Sequence, residues 1–300
     1  VFLLLALPMD AWAASLNWLI RWLIVGMMFM VMLQVKFTVR SIRVHHLIIL
    51  LANIAVGMGG WGLFMLAGNR ELAEVAFFTG ITPTATAAPV IVGLLGERVD
   101  YAVSAFLATN FGMAVLFPFL IPIAIGNPAP TVFADVIGSL CIVVGIPVAL
   151  AVPLRKLYPG ATELPKRCKN LSFFTWVAAI FLIIANASQF LREQQANLPP
   201  GILWKIAVVS LLICIVNFAG GRMIGGKKFF RESSQVLGQK NTTLTIFLAI
   251  TYANPLIALG PTFYVIWHNG WNAWQLQMRT FRERKKRRRV TLLRQHPENI

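Results

Sequence analysis

Apolar stretches separated by clusters of charged residues run the length of the chain, at residues 15–35, 45–67, 72–95, 101–125, 132–154, 171–191, 202–221, 229–252 and 255–278. Each holds about twenty residues or more, the length an α-helix needs to span a hydrocarbon core of about 30 Å. Strands crossing a bilayer would show short alternating segments, whereas these runs are continuously apolar, so the pattern predicts nine helices. Residues 1–7 form a further apolar piece ending at Pro8, too short to span. We read it as the truncated first helix of ten. A signal peptide is the rival reading, since Ala11-Trp12-Ala13 resembles a cleavage site, but no basic segment precedes it.

Composition sharpens the class. With 57% hydrophobic and 13% charged residues at a mean hydropathy of +0.70, the 300-residue chain is too apolar for a soluble enzyme or a globular DNA-binding domain. It reads as an all-α polytopic membrane protein. The net charge of +16 would point to nucleic acid on a soluble surface, but its placement points elsewhere. With the chain starting inside, 22 of the 27 Lys and Arg fall on the inner side, and Arg21, Arg70, Arg192 and Lys205 make up the 4 on the outer side. That asymmetry predicts a multi-pass protein of the cell (inner) membrane with residues 279–300 as a basic cytoplasmic tail. The run at 282–289 then becomes an anchor for anionic lipid, with no nucleic-acid partner expected. Cys141 and Cys214 lie within helices and Cys168 in an inner loop, so no disulfide framework is implied.

Polar side chains inside apolar helices are costly and tend to mark pathways. The predicted third helix carries Asn53 and the eighth Asn217; the fifth carries Thr109-Asn110 and the tenth His268-Asn269, at offsets of 164 and 159. Between each pair lies a helix broken near its middle, the fourth by Thr82-Pro83 and Ala88-Pro89, the ninth by Gly238-Gln239-Lys240-Asn241-Thr242-Thr243. Prolines and small polar residues also kink and glue packed helices with no further role. Their recurrence at one offset favours a single transmembrane domain of residues 1–278 built as an inverted repeat, five helices (about 1–125) plus five (about 131–278). In that plan the two broken helices cross at a binding site.

The residues at these breaks carry a resemblance. Asn241-Thr242-Thr243-Leu244, then Asn254-Pro255-Leu256-Ile257-Ala258-Leu259 and Val265-Ile266-Trp267-His268-Asn269 resemble the ninth and tenth helices of the bile acid:sodium symporter family. That family has G-x-Q-N-S-G-L, P-x-x-A-L-P and V-W-H-N there. Pro83-Thr84-Ala85-Thr86-Ala87-Ala88-Pro89-Val90 sits where the family has P-G-G-T-A-S-N-V, and Ala52-Asn53 where it has A-Q. The resemblance covers nearly the whole chain in helix order and implies a core group (third to fifth and eighth to tenth helices), a panel group, and a substrate site beside the crossing. Thr86, Asn241, His268 and Asn269 match substrate-site positions. Asn53, Asn217, Thr109 and Asn110 are ion-site or coupling candidates.

The family's transport logic uses two sodium ions, and this chain departs from it ligand by ligand. Ala88-Pro89 replace Ser-Asn, Val236 stands where an ungapped reading places a Glu, Lys240 replaces Gln, and Asn53 replaces a longer amide. The acidic residues fall in loops, tails or helix ends, leaving no carboxylate at midplane. Lys240 is the residue to single out. An uncompensated ammonium in hydrocarbon costs about 3 kcal/mol on insertion scales, so it needs a polar cavity or a partner. Asn53, Asn217, the carbonyls of the broken helices or a bound anion are the candidates. A lysine snorkelling to an interface is the bland alternative, as is a packed, hydrogen-bonded His268.

The expected function is secondary transport of a small organic anion by alternating access, with Lys240 in place of sodium, either as a fixed cation or as a proton carrier, and no cofactor. Alternatives are a sodium symporter using other oxygen ligands and a non-transporting membrane sensor or binding protein. No H-E-x-x-H, G-x-S-x-G or acidic pair on a helix marks an enzyme or a metal site. The substrate, the direction of transport and the oligomeric state are open at this level.

Overall fold

The computed structural model describes residues 16–34, 44–193 and 199–295, and the expected first helix at 1–7 lies outside them. Twelve α-helices follow in order: α1 (Asn17–Gln34), α2 (Val44–Leu66), α3 (Arg70–Gly80), α4 (Ala87–Leu94), α5 (Val99–Ala124), α6 (Pro130–Leu140), α7 (Ile146–Leu157), α8 (Leu164–Arg167), α9 (Lys169–Glu193), α10 (Ile202–Gly238), α11 (Thr242–Tyr252) and α12 (Pro255–Gln295). A π turn, Cys141–Gly145, joins α6 to α7, and a 3-10 turn, Pro159–Glu163, leads into α8. Among the described residues, four segments are long and apolar enough to cross a membrane: Val44–Leu66, Val99–Ala124, Pro130–Leu157 and Ile202–Gly238. The protein is an all-α membrane protein.

The helix borders differ from the sequence expectation in three places. The stretch 72–95 is two helices, α3 and α4, as its prolines require. Pro83 has no N–H to continue α3 and pushes Thr82 out of helical conformation. Pro89, by contrast, sits in the first turn of α4, where an N–H would have no partner in any case. Second, the expected loop between 221 and 229 shrinks to a tight bend: α10 is two helical halves that meet where Gly226 (φ 55°) and Phe229 leave helical geometry, and they pack side by side, with the Ser234 hydroxyl donating to the Phe218 carbonyl at 2.7 Å. Glycine tolerates this left-handed φ, which is why the bend falls there. Third, α12 runs on to Gln295, so much of the expected tail is helical.

Contacts sort the helices into two sets. One joins α2, α3, α4, α5, α10, α11 and α12; the other joins α1, α6, α7, α8 and α9. The α5–α6, α9–α12 and α1–α11 contacts connect them. Within the first set the short helices are the innermost: every residue of α3 from Leu72 to Gly80 is buried, and so is α11 from Leu244 to Ala249. By contrast α2 turns Leu47, Leu51, Leu63 and Leu66 outward, the pattern of a helix with one face in lipid.

The inward face of α2 is read at helical spacing. Ile49, Asn53 and Gly57 are buried four residues apart, on one stripe. A Cβ on Gly57 would stand 2.7 Å from Ile81 Cβ and one on Gly80 would stand 2.8 Å from the Gly57 Cα, so the two glycines let α2 and the end of α3 touch backbone to backbone. Gly59 faces open space. Gly57→Ala should therefore destabilise by about 1–3 kcal/mol through overpacking, read as a lower thermal midpoint of purified protein. Gly59→Ala should be neutral or slightly stabilising through helix propensity.

Candidate functional site

The chain is unwound between α3 and α4 (residues 81–86) and between α10 and α11 (residues 239–241), and the two unwound segments meet. Thr84 and Lys240 form an antiparallel bridge, with Ala85 N–H donating to the Gln239 carbonyl and Asn241 N–H to the Pro83 carbonyl, each at 2.8 Å. Buried backbone without partners would cost several kcal/mol per group in lipid; each break satisfies the other. Side chains complete the accounting. The Thr84 hydroxyl donates to the Val236 carbonyl at 2.8 Å. From α5, Thr109 Oγ1 accepts from Thr84 N–H at 3.3 Å, and Asn110 Nδ2 donates to the Thr84 carbonyl at 2.8 Å. The Thr82 hydroxyl donates to the Phe78 carbonyl at 2.8 Å, closing the C-terminus of α3.

Lys240 lies on this bridge and is 1% exposed. Its ammonium donates to Asn53 Oδ1 on α2 and, at 3.2 Å, to the Gly80 carbonyl at the end of α3. That carbonyl is one of the orphan acceptors of a helix C-terminus, where a positive charge is favoured. The ammonium therefore does not snorkel to an interface. Of the partners the sequence left open, Asn53 and a broken-helix carbonyl are taken up. Asn217 is not among them: its Nδ2 donates to the Tyr264 hydroxyl at 3.2 Å, and that hydroxyl donates to the Gly238 carbonyl at 2.8 Å. Asn217 thus braces the end of α10, a role that needed Tyr264, which sequence reasoning passed over although it lies one helical turn before His268. Thr109 and Asn110 hold the backbone of Thr84.

The remaining candidates come together at a cavity that Lys240 also lines. Thr86, Asn241, His268 and Asn269 line one cavity of about 450 Å³, with Gln239, Thr242 and Thr243 beside them. Thr86 and Asn241 precede the first turns of α4 and α11, and neither side chain caps its helix. The first turn of α11 thus keeps N–H groups without a side-chain cap at the cavity, whereas in α4 the Ala88 N–H donates to the Ala85 carbonyl and Pro89 has none. His268 is 6% exposed, and among the described residues its Nδ1 has no hydrogen-bond partner. Asn269 donates back to the Val265 carbonyl of its own helix at 2.8 Å. The facing wall is apolar: Ile24, Met27, Met28, Met30 and Val31 of α1. A pocket polar on one side and built of flexible methionines on the other suits an amphipathic guest.

The positions where the resemblance places sodium ligands offer few free side-chain oxygens. Ala88 and Val236 are fully buried and, like Pro89, offer no side-chain oxygen. Asn53 Oδ1 and the Gly80 carbonyl are both engaged by Lys240. At those positions no carboxylate is present to supply charge to a sodium ion. Glu74 and Glu232, though buried, serve elsewhere: Glu74 pairs with Arg70 at 2.9 Å, and Glu232 accepts from Arg98 N–H at 3.5 Å. Among the described residues no cluster of three His, Cys, Asp or Glu gathers to hold a metal ion. Compared with known proteins, the chain matches no family model and no curated relative.

The Lys240–Asn53 contact can be tested as a pair. A hydrogen bond to a charged group contributes about 1.5–3 kcal/mol, and leaving a buried ammonium short of a partner costs at least that. Asn53→Leu should lower stability by about 2–4 kcal/mol on this basis. Asn53→Leu with Lys240→Met should recover much of the loss, because both polar partners then leave together. Thermal or denaturant unfolding of the three variants measures the coupling.

Proposed function

We propose that the protein is a secondary transporter of a small organic anion, working by alternating access, with the Lys240 ammonium standing where a relative would bind sodium. The observation that carries this reading is the placement of Lys240. The Lys240 amino group is held at the junction of two unwound helices, on an amide oxygen and a helix-end carbonyl, which are ligands of the kind a sodium ion takes. Beside it, the uncapped N-terminus of α11 and Thr86, Asn241, His268 and Asn269 open on one cavity. Broken helices facing a cavity are how transporters place a substrate site within the membrane.

On this reading the chain is a divergent member of the bile acid:sodium symporter family. Its helices form a five-plus-five inverted repeat, and α3–α4 and the second half of α10 with α11 are the two crossing broken helices. The pairing of Thr84 with Lys240 and the division of the helices into two sets support that plan. Alternating access would rock the set containing α3, α4, α10 and α11 against the set containing α1, whose methionines form the far wall of the cavity. The positive-inside count supports a location in the cell membrane with residues 279–300 in the cytoplasm, where the basic run would meet anionic lipid.

Liposomes containing the purified protein test the reading with a panel of amphipathic organic acids, in sodium and in potassium, with and without a pH gradient. The expected result is saturable uptake or exchange of at least one acid, unchanged when potassium replaces sodium. Lys240→Gln should lower it at least tenfold. If a pH gradient drives uptake and Lys240→Gln uncouples the two while sparing exchange, the lysine is the proton carrier. Binding without uptake or exchange would favour a sensor or binding protein, and absence of all three across the panel would overturn the transporter reading.

A further inference from the structure

A second cavity, of about 610 Å³, lies where the end of α4, the bend of α10 and the far part of α12 meet. Gly96, Glu97, Arg222, Arg231, Trp274 and Arg279 are among its walls. We propose that it binds the phosphodiester headgroup of an anionic phospholipid. Three guanidinium groups face one carboxylate, so the cavity carries two positive charges in excess. Planar guanidinium forks match phosphate oxygens in geometry as well as charge.

The arginines are fixed in place. Arg279 donates to the Leu94 carbonyl at the C-terminus of α4. Gly96 follows with a φ of +75°, and a Cβ there would stand 2.8 Å from Arg279 Nη2, so the glycine supplies both the left-handed turn and the room for the guanidinium. Arg231 donates to Glu97 Oε1, and the guanidinium carbons of Arg222 and Arg231 each lie 5.2 Å from the centre of the Phe230 ring. One aromatic ring thus holds two of the three cations close to each other.

The rim chooses between a lipid and a free anion. Trp271, Trp274, Met278 and Phe281 are exposed along the same stretch of α12. Tryptophan is enriched at membrane–water interfaces, the depth at which phosphates of headgroups lie. Basic pockets between helices at that depth take anionic headgroups. The apolar rim offers a surface for acyl chains, which inorganic phosphate would not use. A lipid seated there would bridge three separate helices, and its binding should register as stability. This inference is independent of the transport reading and concerns residues outside the run at 282–289.

The test uses the full-length chain in neutral detergent, with thermal midpoint and native mass spectrometry read during titration with phosphatidylglycerol, phosphatidylcholine or inorganic phosphate. A background variant with the Lys and Arg of residues 282–289 changed to Gln separates the cavity from that run. In this background phosphatidylglycerol should still bind saturably and raise the midpoint, with an affinity at least tenfold above that for phosphatidylcholine. Arg222→Gln with Arg231→Gln should weaken it at least tenfold. Glu97→Gln, which removes the competing carboxylate while leaving the arginines in place, should strengthen it. Loss of binding on neutralising 282–289 alone would overturn the proposal. So would equal responses to the two lipids, or a response to inorganic phosphate matching that to phosphatidylglycerol.

Discussion

Unwound backbone deep in an apolar protein must find hydrogen-bond partners within the chain, and in this molecule two unwound segments find them in each other. The Thr84–Lys240 bridge is small, two backbone hydrogen bonds at 2.8 Å, yet much of the core is arranged around it. Thr109 and Asn110 on α5 and the Val236 carbonyl on α10 complete the groups of Thr84. Tyr264 and Asn217 complete Gly238. The glycine contact between α2 and α3 brings Asn53 within reach of the lysine. These side chains come from α2, α5, α10 and α12, so a change in the bridge would be felt by every long helix of its set.

Lys240 joins the two roles of this region. Structurally its ammonium closes the C-terminus of α3, an end that otherwise leaves a carbonyl without a partner inside the fold. In the proposed mechanism the same charge is what a transported sodium ion would bring, made permanent by a covalent tether. A tethered cation cannot leave with the substrate, so any coupling to an ion gradient would need to come from protons or from exchange. On the proposed reading, exchange of a mobile cation for a fixed one would also account for Ala88, Pro89 and Val236: once no sodium has to be coordinated, oxygen-bearing side chains have no task at these positions.

Much of this was legible in the residues because bilayer length and proline chemistry are strong local constraints. Apolar runs of about twenty residues gave the long helices, and Thr82-Pro83 gave the first break. Thr86, Asn241, His268 and Asn269, chosen from polar placement and resemblance, line one cavity. What stayed hidden was tertiary. Asn217 looked like a partner for Lys240 because both are polar and mid-helix; which hydroxyl it meets depends on how α10 packs on α12, and Tyr264 hides in an apolar run. Charge clustering at 222–231 read as a loop, whereas the structure keeps helix on both sides of a tight bend at Gly226 and Phe229. The guanidinium cavity was invisible for a similar reason, since Arg222, Arg231 and Arg279 are brought together only by that bend and by the helical continuation of α12.

The central claim, that Lys240 occupies the place of a sodium ion, is tested most directly by measuring sodium binding to the purified, unaltered protein. Thermal midpoint as a function of sodium concentration at constant ionic strength, with potassium as balance, gives the answer without knowledge of the substrate. The account predicts no saturable stabilisation by sodium over potassium. A saturable, sodium-specific rise in the midpoint would contradict it, because an ion site would then exist beside the lysine or despite it.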